Sequence, residues 1–269
     1  MLHVPILTFF IAAPSQDNFW TTVKEKGTST GDSSQDPAVW REAVVATLST
    51  GPVTPADGVQ FQNKDLIMHS CRNDGRLINP DRPAVTMDMV FQGMAFGDTA
   101  GPGGQIWNTY STVNGARYEH IFAAEVRGGS AKIYPANLTL DRDSFPSGGM
   151  YVAYAVTNTT SLDPSTLKTQ AFSESSPIEV TSTDLSFDLW HVSPVQSNGI
   201  AVLGDISKWV PVAATRTASI TVDGSKVNVK VLGESGEKVT IYFAKSDGSS
   251  PTSASCTVGS DGSCTVTSP

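Results

Sequence analysis

Charge is scarce in this sequence, and positive charge most of all: 18 lysines and arginines stand against 26 aspartates and glutamates in 269 residues, a net charge of -8. The basic residues are scattered, so no cationic stripe can follow a phosphate backbone and nucleic acid is not an expected partner. No run approaches the ~18 apolar residues needed to cross a membrane as a helix, so no membrane association is expected either. Histidine is rare. His3, His69, His120 and His191 lie far apart, and "HSC" at 69–71 has no second ligand pair near it, so no zinc site and no other metal or cofactor is expected. No serine sits in a G-x-S-x-G elbow. The glycine-rich "GPGGQ" lies among β-type residues rather than before a helix, which removes the phosphate-loop reading. No internal repeat is present, which excludes a solenoid or a propeller.

Cysteine is nearly absent too, with three copies, Cys71, Cys256 and Cys264. The last two bracket "CTVGSDGSC", two short alternating runs around a Gly/Ser/Asp turn. A hairpin there would bring Cys256 and Cys264 onto neighbouring strands, close enough to pair. Asn137 in "NLT" and Asn158 in "NTT" match the glycosylation triplet. Together these features point to a secreted or extracellular protein. The first residues, "MLHVPILTFFIAAPSQ", do not make a convincing signal sequence: no Lys or Arg precedes the apolar run, and Pro5 interrupts it. A buried parallel strand over residues 1–13 reads as the same kind of continuous apolar run.

What is present changes character near residue 60. Before it, Asp36 and Pro37 form a helix start, a side-chain acceptor followed by a proline whose missing N–H is no loss there. Trp40, Ala43, Val44, Thr47 and Leu48 then recur at helical spacing, and Gly51-Pro52 ends the helix. After it, helix-period windows are absent. Short β-rich runs follow one another between Gly, Pro, Asn and Asp turns, from "AVTMDMVF" through "QIWNTYST", "RYEHIFAAEV", "MYVAYAV", "PIEVTS", "LSFDLWHV", "IAVLG", "ASITV" and "KVNVKVL" to "KVTIYF". This rhythm is that of an antiparallel sandwich.

Four stretches taken in order carry a resemblance. They are the helix running into "TGPVTPADG" (Gly51, Pro52, Val53, Asp57), then "LIMHSCRNDGRLINPDRP" with Asp74-Gly75-Arg76-Leu77 and Arg82-Pro83, then "GPGGQIWNTYSTVNG" and "LWHVSPVQSNGIAVLGDISKWV". The order resembles the end of the catalytic barrel and the C-terminal β domain of the α-galactosidase and raffinose-synthase group of glycoside hydrolases. The resemblance touches residues 1–215. With the β rhythm it makes the expected chain mainly β: an antiparallel β-sandwich over 61–215 preceded by the last strand and helix units of an incomplete (β/α) TIM-type barrel (1–60), the β runs and hairpin of 216–269 being expected from their own pattern to complete the sandwich. It also implies a carbohydrate substrate, cleavage or transfer of a galactosyl unit, and a missing N-terminal barrel portion of the same polypeptide as partner.

The resemblance places Asp17, in "PSQDNFW", near the group's general acid, with Phe19 and Trp20 as an apolar setting. A turn or capping aspartate is the competing reading. Trp20 could stack on a sugar ring and Asp57 could bind a sugar hydroxyl, against core aromatic and turn roles. Trp40, Trp107, Trp190 and Trp209 read as core. The family's nucleophile belongs to earlier sequence, and a retaining glycosidase needs two carboxyl groups, so this chain alone is expected to be inactive. The rival reading is a non-catalytic secreted sandwich that binds glycans or proteins.

Overall fold

A computed structural model of the chain describes residues 16–23, 36–96, 103–138, 149–157, 167–182, 185–249 and 251–269. The protein is mainly β, and its sheets are antiparallel throughout. The largest has six strands: β1 (Val85–Thr86), β2 (Gly103–Val113), β3 (Ala116–Arg127) and, beyond them in space, β8 (Phe187–Pro194), β5 (Tyr151–Thr157) and β6 (Thr169–Phe172). The β2–β3 hairpin turns on Asn114-Gly115, both with positive φ (52° and 75°). This is the dipeptide that a two-residue turn matched to strand twist prefers. β3 lies at the middle of the sheet and is buried on both faces over Arg117–Ala124, so polar residues in "RYEHIF" are forced inside.

Side chains alternate across the sheet, so each face has its own cover. On one face Trp107, Phe122 and Leu189 stand in register and share a core with Val44, Leu48 and Trp209. Helix α1 (Val39–Leu48) supplies that cover. It begins two residues later than the Asp36-Pro37 signal suggests, and the Asp36 carboxylate accepts the Ala38 N–H at 3.1 Å, so the aspartate caps the turn that leads into the helix. A fully buried Val or Leu on such a stripe contributes about 1.5–3 kcal/mol. On the opposite face Ile106, Ile121 and Ala123 meet the two-stranded sheet of β4 (Ala131–Ile133) and β7 (Ile178–Val180).

Two helices break the expected all-β pattern after residue 60. One is α2 (Lys64–Met68), whose N-cap Asn63 accepts the Leu66 N–H at 3.2 Å. The other is α3 (Asp88–Phe96), in the stretch read as the strand "AVTMDMVF". Only Val85 and Thr86 are extended. Met87, Val90 and Gly93 are buried, a spacing of three that belongs to a helix, and Asp88 suits a helix start.

A second, smaller sandwich closes the chain. Its sheets are β10 (Thr217–Asp223), β11 (Lys226–Leu232) and β14 (Ser263–Thr267) on one side, and β13 (Thr252–Thr257), β12 (Lys238–Lys245) and β9 (Ile200–Gly204) on the other. Val202, Val229, Val231, Ile241 and Phe243 fill the space between them. Cys256 and Cys264 are joined by a disulfide, with their Cα atoms 6.1 Å apart. The hairpin expectation is corrected here: Cys256 pairs in register with Val239 and Cys264 with Val231. The bond therefore ties two facing sheets together, because β13 and β14 separate at the turn instead of pairing with each other.

Before the sheet, one parallel bridge joins Phe19 and Pro55, with Ala56 N–H donating to Phe19 O at 2.8 Å. The two extended segments flank α1, the local order of a β-α-β unit. An incomplete TIM-type barrel is not shown by this single bridge, and the strand expected over residues 1–13 lies outside the described residues.

Candidate functional site

Asp17 is exposed, and its carboxylate accepts the N–H of Asn18 at 2.7 Å. Among the described residues Phe19 does not surround it but turns into the core under α1, and Trp20 is half-buried. Asp57 ends the extended segment after α1 as read, but its oxygens are engaged within the protein. Oδ1 accepts the Thr21 N–H at 2.7 Å and Oδ2 the Thr21 hydroxyl at 2.9 Å, and Thr22 approaches Oδ1 through both its N–H and its hydroxyl. Thr21 Oγ1 accepts in turn from Asn63 N–H at 2.7 Å. Asp57 thus pins the loop after Phe19 to the start of α2. Asn137 is half-buried in a single 3-10 turn, its Oδ1 accepting from Tyr134 N–H at 2.8 Å. Asn158 lies outside the described residues.

A polar cavity of about 360 Å³ opens beside the small sandwich, lined by the loop after β9, by β12 and its approach, and by Asn73 beyond α2. Gly204, with φ 89°, ends β9 against the Pro211 carbonyl so tightly that a Cβ there would collide with it. That close turn puts Asp205 at the cavity wall. Arg216 is the centre of the charge: Nε and Nη2 reach Asp205 Oδ2 at 3.0 and 2.8 Å, Nη2 also reaches Glu237 Oε1 at 2.6 Å, and Nη1 donates to Leu232 O. All three side chains are nearly excluded from solvent. Burial raises the Glu237 pKa, but the Arg216 hydrogen bond and the Glu234 N–H outweigh it, and the carboxyl ends below its ordinary value. The Lys208 ammonium, 7% exposed, donates to Met68 O at 2.7 Å, and its burial lowers its pKa. Asn73, Lys238, Thr240 and Tyr242 complete the lining.

A second buried polar row crosses the six-stranded sheet, where Thr109, His120, His191 and Tyr154 stand in register. His120 and His191 face each other through their Nδ1 atoms at 2.8 Å, and His120 Nε2 lies 3.0 Å from Ser111 Oγ. Ser111 has one proton, and it goes to the Val212 carbonyl. His120 must then donate from Nε2 to Ser111 and accept at Nδ1 from His191. This leaves His191 Nε2 as a bare buried lone pair, and that atom has no partner. Ser111, His120 and His191 are all at most 2% exposed, so this Ser-His chain is buried and links neighbouring strands of the sheet. Among the described residues no three His, Cys, Asp or Glu side chains gather as a metal site.

The four histidines are isolated in sequence, but strand register brings two of them together, and the Arg216 cluster is likewise assembled from residues 11 and 21 positions apart. Both were missed in the sequence. The one local signal was charge in unfavourable places: an Asp directly after a strand-ending glycine, and histidines inside strongly apolar strands. Compared with known proteins, the chain matches no protein-family model and no curated sequence.

Proposed function

We propose that the chain is the C-terminal part of a carbohydrate-active enzyme of the α-galactosidase-like kind, a glycoside hydrolase or galactosyl transferase in which a β-α-β end piece docks on a β-sandwich. The observation that carries the reading is the parallel bridge between Phe19 and Pro55 across α1, with α1 buried against an antiparallel sheet. A parallel pair connected through a helix is how α/β barrels are built, and here it feeds directly into a β domain, in the order the sequence resemblance implies. In this reading Asp17, at the end of the segment leading to the bridge, supplies the general acid, Trp20 a stacking surface for the sugar, and the nucleophile comes from the preceding barrel.

Double displacement needs a nucleophilic carboxylate and an acid/base about 5–5.5 Å apart. Asp57 is not free to serve as the second carboxylate, because both of its oxygens are held by Thr21 and Thr22. The purified chain should therefore show no turnover of aryl α-galactosides, and co-expression with the upstream barrel portion should restore it. Turnover by the chain alone, with a mock purification inactive, would overturn the proposal.

A further inference from the structure

We infer that the cavity beside the small sandwich is a binding site for a neutral, hydroxyl-rich small molecule, a single sugar residue or a polyol of that size. The inference is independent of the glycosidase reading, since every lining residue lies outside the segment that carries Asp17. Its size, about 360 Å³, is within the range of small-molecule sites and well beyond what one bridging water needs. Its groups are unevenly satisfied. Asp205 is saturated, with Ser207 N–H and Oγ on Oδ1 and the Arg216 guanidinium on Oδ2. Glu237 accepts one bond on each oxygen, from Arg216 and from Glu234 N–H, and so keeps lone pairs to spare. Lys208 uses one of its three donors, on Met68 O, and makes no ion pair among the described residues.

A buried ammonium with two free N–H groups and a buried carboxylate with free lone pairs face one cavity without touching. A hydroxyl-rich ligand suits both groups, because a hydroxyl can accept from the first and donate to the second. An anion fits poorly. Arg216 is flanked by two carboxylates and Lys208 offsets the excess negative charge, so the inner wall is close to neutral; Lys238, exposed at the mouth, adds one positive charge there, but a phosphate or carboxylate that entered would meet Asp205 and Glu237. Half-buried Tyr242 offers an aromatic surface and a hydroxyl, while Asn73 and Thr240 offer further donors and acceptors at the mouth. Such a ligand has about a dozen heavy atoms, and at ordinary ligand efficiency its Kd is on the order of a millimolar.

The test is titration of the whole isotopically labelled chain followed by amide NMR, with D-galactose, D-glucose and myo-inositol as neutral probes and inorganic phosphate and citrate as anionic ones. At least one neutral probe should shift the Asn73, Ser207 and Thr240 amides saturably, and Lys208→Met should weaken it about tenfold, the loss expected for a charged hydrogen-bond donor. If Lys208→Met does not fold, Asn73→Ala, at an exposed rim position, should weaken the same titration while leaving the spectrum otherwise intact. Saturable shifts with the anions and none with the neutral probes would make this an anion site and overturn the inference. No saturable shift with any probe would reduce the cavity to a solvent-filled crevice and overturn it equally.

Discussion

Acidification should destabilise this protein between neutrality and pH 5 far more than its carboxylates can explain, and the cause is the buried histidine chain. Burial holds His120 down to about 3, and burial together with the neighbouring His120 holds His191 well below its ordinary value. In the unfolded chain both titrate near 6.5. A group whose folded pKa is depressed takes up its proton in the unfolded state first, so stability is full above about pH 7.5 and falls as the pH drops through 6.5. At pH 5 an unfolded histidine is almost fully protonated, whereas folded His120 is not, and the difference is about 2 kcal/mol for His120 alone. That value hardly depends on how far below 5 the folded pKa lies. His191 adds a penalty of the same sign. Against a typical total of about 5–15 kcal/mol, the pair decides where acid unfolding begins. Urea denaturation at about pH 7.5 and about pH 5 reads this directly. The double variant His120→Gln/His191→Gln should be less stable at neutral pH but should lose most of the slope. His69, also lowered by burial, is present in both proteins and cancels. A wild-type midpoint that does not move over this range, or an equal slope in the double variant, would refute the reasoning.

Other perturbations follow from the same geometry. Arg216→Met leaves Asp205 and Glu237 as uncompensated buried charges, so thermal or urea unfolding should show a loss of about 3–5 kcal/mol, the cost of breaking a buried ion pair. Removing the inter-sheet disulfide with Cys256→Ser/Cys264→Ser frees a loop of sequence separation 8. Loop-closure entropy then predicts a loss of about 2.5 kcal/mol, and mass analysis of the unreduced wild type should find no free thiol other than Cys71. Asp57→Ala removes the acceptor for Thr21 and Thr22, so hydrogen exchange should speed up at those two amides while α1 stays protected. Thr50 ends α1 with φ 64°, where a β-branched residue is strained. Thr50→Asn should raise stability by about 1 kcal/mol, read as a higher unfolding midpoint.

The β-rich body was legible because its strands carry their own punctuation. Runs such as "KVNVKVL" alternate cleanly, and the structure buries Val227, Val229 and Val231 between the small sheets. Helix α1 was legible from its stripe, with its start displaced because Asp36 caps a preceding turn. The sequence misled where a few residues could satisfy either period: Met87 and Val90 sit as well on a helix as beside a strand, and burial decided for the helix. The disulfide pairing could be read from spacing, but the departure of β13 and β14 into different sheets depends on β11 and β12 claiming them as partners. The cavity and the histidine chain were hidden for the same reason, since non-local register has no counterpart in a local pattern. Asp17 and Asp57 show the reverse limit. The resemblance gave each a possible role, yet the hydrogen bonds of Asp57 to Thr21 and Thr22 could not be read from its neighbours in sequence.

The proposal that this chain is the end of a larger carbohydrate-active enzyme is tested most directly by sequencing its transcript through to the 5′ end. The account predicts an open frame continuing upstream of the Met1 codon, encoding alternating strands and helices with an aspartate at the C-terminal end of one strand to serve as nucleophile. An in-frame stop codon close to Met1, on every transcript recovered, would contradict it.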